Sequence, residues 1–270
     1  MVAAGRARRA PAATEGQAVK TSRLITVDIG NTTVALGLFV ADRLAATARI
    51  PVGQGGDLAR LWPDDFPPVT DLAGTPLVGC SVNPPALERV EAAVAALGAR
   101  LLLVRRDLEI TTAVRVREPQ KVGADRLVNA YEAFARFRRA AVVVDFGTAI
   151  TLDGVSADGA FLGGAIAPGV QTSMAALSAR GAQLLTVHLV TPRHAVGRST
   201  VEAMQSGAVY GFAGQVDRIV EEIAAELGGL AVVVATGGLA SCIVQACRRI
   251  DRHDPWLTLR GLQLVWRRNT

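Results

Sequence analysis

Lysine is nearly absent from this chain. Of 270 residues 29 are basic, yet only Lys20 and Lys121 are lysines, and neither follows a glycine-rich loop. No GxxxxGK[ST] occurs, which excludes a P-loop phosphate cradle, and no GxGxxG marks a dinucleotide-binding turn. Cysteine is scarce too. Cys80, Cys242 and Cys247 are odd in number and form no CxxC pair, so neither a disulfide framework nor a zinc site is expected, and a reducing cytoplasm fits. His188, His194 and His253 are too scattered to form a metal cluster and read as surface or loop positions. Aromatic residues make up 4% of the chain, so a core must come from Val, Leu, Ile and Ala. The longest apolar runs, 140–144 and 230–235, fall well short of the roughly 18 residues that suggest a membrane span.

What is present fits an enzyme with two lobes. Half of the residues are hydrophobic, enough for one large core or two smaller ones at this length. The formal charge of +5 is concentrated at the start, where Arg6, Arg8, Arg9, Lys20 and Arg23 face only Glu15. The rest is nearly neutral, so the charge does not indicate a nucleic-acid partner. Residues 1–22, rich in Ala and Arg without apolar periodicity, read as a disordered basic extension.

Two segments echo each other: LITVDIGNTTVALGLF at 24–39 and AVVVDFGTAITLDGV at 141–155. Each is a β-branched run ending in Asp-x-Gly, a hydroxyl-bearing turn and a returning apolar run. One copy alone is an ordinary hairpin turn; two matched copies, separated by about one lobe of chain, suggest paired ligand loops. Gly30 and Gly147 are expected to take positive φ and admit a ligand closely, with Asn31, Thr32, Thr33 and Thr148 as neutral donors for phosphate oxygens. Asp28 and Asp145 would repel a polyphosphate unless a cation stood between them, so a metal nucleotide is implied.

Between and beyond the hairpins, strands are expected at 44–50, 76–80, 101–104, 161–166 and 231–236. Helices are expected at 83–97, 124–137, 171–178, 200–227 and 239–250, with a short helical stretch near Leu58. In the 200–227 segment, Gly207, Gly211 and Gly214 suggest close helix packing. The ATGG at 235–238 ends a strand before a helix, a usual place for a nucleotide. KVGADR, 121–126, puts Asp125 and Arg126 at the start of the helix leading to the second hairpin. Such a carboxylate can accept a hydroxyl proton while the arginine binds an anion; the ordinary alternative is a dipole-complementing Asp and a surface ion pair.

Taken in order, DIGNTTVALGLF, VGADR, DFGTAIT, GGAIAPG, GRSTVEAMQSG and ATGG resemble the type III pantothenate kinases. The resemblance runs from about Arg23 to the C-terminus. It implies an α/β fold of two duplicated ribonuclease H-like lobes, the actin-like ATPase fold, with the nucleotide cleft between lobes 23–139 and 140–270. It also implies phosphorylation of pantothenate by ATP at the entry to coenzyme A synthesis, in a cytoplasmic homodimer. Asp28, Ile29, Gly30, Asn31, Thr32, Thr33, Val34 and Ala35 match the first phosphate loop, with Asp28 positioning Mg-ATP. Thr148 matches a further ATP contact, and Asp145 the site of a monovalent cation, K+ or NH4+. Gly123, Ala124, Asp125 and Arg126 match the pantothenate-contacting segment, with Asp125 as proton acceptor. Thr200 matches a substrate-contacting threonine supplied across a dimer interface. Seven residues before Gly123 the family commonly has a tyrosine; here Val116 stands, which bears on substrate affinity and leaves the acceptor open to another small alcohol. The rival reading is a nucleotide-binding regulator without catalysis, related to transcription accessory factors.

Overall fold

The computed structural model describes residues 23–53, 62–68, 72, 74–180, 187–238 and 240–270. The basic extension and the helical stretch near Leu58 lie outside these residues. The echoing segments form two hairpins, β1 (Arg23–Ile29) with β2 (Thr33–Val40) and β6 (Ala141–Phe146) with β7 (Ala149–Val155). Each hairpin is extended antiparallel by a third strand, β3 (Arg43–Pro51) and β8 (Phe161–Pro168). On its other side each gains parallel strands: β4 (Leu77–Ser81) and β5 (Leu101–Leu103) in the first sheet, β9 (Val232–Thr236) and β10 (Arg252–His253) in the second. The orders β3-β2-β1-β4-β5 and β8-β7-β6-β9-β10 are the same topology twice. The chain has the duplicated α/β, actin-like fold.

Local signals explain where the helices start. Asn83 accepts the Ala86 amide at 3.1 Å and two prolines open α1 (Pro84–Ala96), where missing N–H groups cost nothing. Ser199 accepts the Glu202 amide at the start of α4 (Thr200–Glu226), and Glu202 accepts the Arg198 amide in return. α3 (Val170–Arg180) follows β8. α5 (Ala240–Val244) is much shorter than the expected 239–250 helix. The Asp217 carboxylate on α4 takes the backbone amides of Arg248 and Arg249 at 2.9–3.0 Å, holding that stretch in turns against α4. Gly207, Gly211 and Gly214 also depart from expectation: among the described residues nothing lies within 4 Å of their Cβ positions, so they pack against no described neighbour.

α2 (Ala124–Phe137) has two buried sides. Leu127, Ala130 and Ala133 pack on Ala141, Val143 and Phe161 of the second sheet, while Val128 packs with Val78, Cys80, Leu259 and Leu262 on the first. The last two belong to α6 (Leu257–Asn269), a helix with no counterpart among the expected elements. By chain order it falls in the second half, but its apolar face closes one side of the first sheet. α1 closes the other side, over Ile25, Val27 and Leu36. α4 covers the second sheet opposite α2, through Ala213, Val216 and Val220.

The crossing of α2 and α6 needs glycine at 261. A Cβ there would stand 2.6 Å from Val128 Cγ1 and 2.7 Å from the Val128 carbonyl oxygen, closer than real Cβ contacts. Alanine normally improves a helix interior by about 1 kcal/mol. Here the backbone of α2 would have to move, at a cost of about 1–3 kcal/mol. Gly261→Ala is expected to lower the urea midpoint of unfolding; an unchanged or higher midpoint would show that the helices separate freely.

Candidate active site

The two hairpins bring their turns together. Thr32 Oγ1 and Thr148 Oγ1 lie 3.3 Å apart, and the Thr148 carbonyl accepts Thr172 Oγ1 at 2.9 Å and the Gly169 amide at 3.1 Å. Gly30 and Gly147 are not left-handed as expected. Their amides donate to Thr33 O and Ala149 O at 3.0 Å, which closes each turn with ordinary φ. In the first loop Asn31 and Thr32 are exposed, whereas Ile29 and Val34 point into the core and Ala35 is buried, so these three can offer a ligand only backbone.

Asp28 ends β1 and Asp145 ends β6, each beside its turn. Asp28 stands in register with Cys80 on β4 and Ala35 on β2, and Cys80 donates its thiol proton to Asp28 Oδ1 over 3.4 Å. Asp145 accepts Asn129 Nδ2 at 3.3 Å. Asn129 Oδ1 in turn accepts the buried Thr258 hydroxyl at 2.8 Å. That second bond orients the amide, so α6 holds the group that holds Asp145. Gly237 has φ of 98°, and a Cβ there would press on Asp145 Oδ1.

Asp125 lies in the first turn of α2, one helical turn before Asn129, so both side chains share a face. Its Oδ1 accepts the Arg126 amide at 2.8 Å. A side chain at Gly123 would collide with this carboxylate, which accounts for the glycine without any unusual backbone angle. Arg126 is no surface pair. Nε sits 3.0 and 3.1 Å from the two oxygens of Asp153 on β7, Nη2 bonds the same carboxylate, and the guanidinium lies over Phe161. Thr200 is exposed at the first position of α4.

The carboxylates perturb one another. Burial, followed by the charges of Asp125 and Asp145, pushes Asp28 up to about 7. Burial, then Asp125 and Asp153, pushes Asp145 up to about 7. Burial raises Asp125 as well, and takes Asp153 to about 6 despite Arg126. Converging buried carboxylates of this kind fit a cation and a phosphate chain between them. Among the described residues no three His, Cys, Asp or Glu side chains gather to enclose a metal. A cation here would complete its shell from phosphate oxygens, carbonyls and water.

Local sequence could have pointed to Asp153, inside the second echo, and to Asn129, four residues beyond Asp125 on a helix. Cys80 and Thr258 carry no such signal.

A family model described as type III pantothenate kinase matches residues 24–222. The chain belongs to this family. A type III pantothenate kinase of Acidothermus cellulolyticus is 44% identical over 91% of this chain and 98% of its own. One from Streptomyces avermitilis is 40% identical over 91% and 98%. Among solved structures, a Baf family protein of Campylobacter jejuni superposes with a TM-score of 0.59 at 20% identity, covering 91% of this chain and 98% of its own. The ethanolamine utilization protein EutJ of Carboxydothermus hydrogenoformans gives 0.53 at 16%, covering 89% of each. These two likenesses are of fold. In this type III pantothenate kinase family member, no helix among the described residues is long and apolar enough to cross a membrane.

Raised carboxyl pKa values set a pH dependence. Asp28 and Asp145 ionise near 3.8 when exposed and near 7 when folded, so between these values the folded state binds more protons than the unfolded. Their contribution to stability is present at low pH and is lost as pH rises through about 7. In metal-free buffer without nucleotide, the thermal midpoint is expected to be higher at pH 6 than at pH 8, and Asp145→Asn should flatten the difference. A midpoint that rises from pH 6 to 8 in both proteins would mean that the pair is already neutralised.

Proposed function

We propose that this kinase transfers the γ-phosphoryl group of ATP to the primary hydroxyl of pantothenate, giving 4′-phosphopantothenate at the entry to coenzyme A biosynthesis. The observation that carries the reading is the convergence of Asp125 on the two hairpin carboxylates at the turn where Thr32 meets Thr148. Asp125 accepts the hydroxyl proton as the phosphoryl group arrives; burial, which raises its pKa, makes it a better base. Asp153 fixes Arg126 through Nε and Nη2 and leaves Nη1 for the anionic end of the substrate or transition state. Gly123 and Ala124 carry backbone to the same place. Asp28 positions Mg-ATP with residues 29–35 and Thr148, and Asp145 takes K+ or NH4+. The bound cations supply charge neutralisation along the phosphates.

A homodimer fits the exposed face of α4. Thr200, Gly207, Gly211 and Gly214 fall on one side of the helix, beside exposed Val201 and Tyr210. A second copy packed there would bury this stripe and place Thr200 at the interface. Gly211→Arg is expected to turn a dimer into a monomer by light scattering; a wild-type monomer would end this reading. The reaction places the protein in the cytoplasm, with no nucleic acid or membrane as partner.

The deciding experiment is ADP release with Mg-ATP, with and without pantothenate, in potassium and in sodium, with product mass as identity. Pantothenate-dependent turnover, faster in potassium, is expected. Asp125→Asn should lower turnover by roughly 10²-fold or more while nucleotide still binds. Near-normal turnover in that variant would remove Asp125 from the base role, and equal rates in both salts would remove the cation from Asp145.

A further inference from the structure

The paired hairpin turns, 28–35 and 145–148, contain no lysine or arginine. A nucleotide's phosphates would meet carboxylates there and no fixed positive charge from either loop. Among the described residues, Arg49 reaches the place from elsewhere. On the first sheet Asp28 pairs with Ala35, and Ala35 pairs with Arg49 of β3, so the three stand in one row with side chains on one face. The methyl group of Ala35 leaves room for the arginine to run back along the row. Its charge is felt by Asp28 and by Asp145, which belong to different sheets.

The end of the side chain is held by the other half of the molecule. Nη2 donates to the Pro255 carbonyl at 3.1 Å, and the guanidinium lies 4.1 Å from the centre of the Trp256 ring. Nε and Nη1, the two nitrogens not engaged with Pro255, stand 3.6 and 3.8 Å from the Cβ position of Gly238, in the glycine turn that follows β9. Arg49 remains exposed. A guanidinium held through Nη2 and over one face by Trp256, with Nε and Nη1 making no hydrogen bond among the described residues, keeps N–H groups for phosphate oxygens beside the glycine turn.

We propose that Arg49 is a phosphate-binding residue of this kinase, offering the N–H groups not held by Pro255 to the terminal phosphates of the nucleotide and linking the first sheet to the Gly237-Gly238 turn when substrate is bound. The proposal rests on the kinase reading. A residue that served only to balance Asp28 and Asp145 would not need an exposed guanidinium with unengaged N–H groups.

Arg49→Met and Arg49→Lys separate the two roles. The Met variant is expected to lose about 10²-fold in kcat/KM for ATP, with KM for pantothenate within about threefold of wild type. The Lys variant should recover only part of the loss, because an ammonium cannot stack on Trp256 and hold Pro255 while still presenting N–H groups to a phosphate. Unfolding without nucleotide reports whether each variant is folded. In the wild-type protein, phenylglyoxal labelling of Arg49, read by peptide mass, is expected to fall when Mg-ATP or ADP is added. A folded Met variant with unchanged kcat/KM for ATP would overturn the proposal, as would labelling indifferent to nucleotide. Absence of pantothenate-dependent turnover in wild type would overturn the kinase reading instead, and the labelling would still decide for or against Arg49.

Discussion

Three carboxylates from three different elements are buried near enough to raise one another's pKa, and the rest of the molecule answers to that constraint. Asp28 comes from β1, Asp145 from β6 and Asp125 from α2, and burial makes their mutual repulsion expensive. Each has a neighbour that tempers it: the Cys80 thiol for Asp28, the Asn129 amide for Asp145 and the Arg126 amide for Asp125. Proton uptake relieves the repulsion when the site holds no ligand, and the cations proposed above would relieve it too. The arrangement that weakens the free protein above neutral pH is thus suited to a cation-bearing phosphate chain.

Holding such groups in place requires that the sheets cannot drift apart. α2 performs that task, since its opposite sides are buried against different sheets and its first turn carries Asp125. α6 presses α2 onto the first sheet through the Gly261–Val128 approach and reaches Asp145 through Thr258 and Asn129. The C-terminal residues are therefore part of the site's support, though they touch none of the three carboxylates directly.

Much of the architecture was legible because it is local. The Asp-x-Gly echoes, the β-branched runs around them and the helix from Ala124 to Phe137 are set by alternation, turn chemistry and helical spacing within a dozen or so residues. α6 was missed despite its apolar face because nothing local marked where the preceding turns ended. The helix after Gly238 was overextended because its stop comes from Asp217, a residue on another helix. Gly30 and Gly147 sit in the turns as expected but for a different reason, since backbone hydrogen bonds close those turns without left-handed φ.

What the sequence determined by itself is local equipment: two Asp-x-Gly hairpins, the Asp125-Arg126 pair at a helix start, and membership of a kinase family through six ordered motifs. Those are properties of short segments, and short segments carry them anywhere. Only the tertiary structure decided how the equipment is charged and held. It buried the carboxylates until their protons stay on to near neutral pH, tied Arg126 to Asp153, and hung Asp145 from the C-terminal helix. It also ran Arg49 along a sheet row to a turn in the other half of the chain. Electrostatic energy depends on distance and burial, and neither exists until residues far apart in the chain are packed side by side.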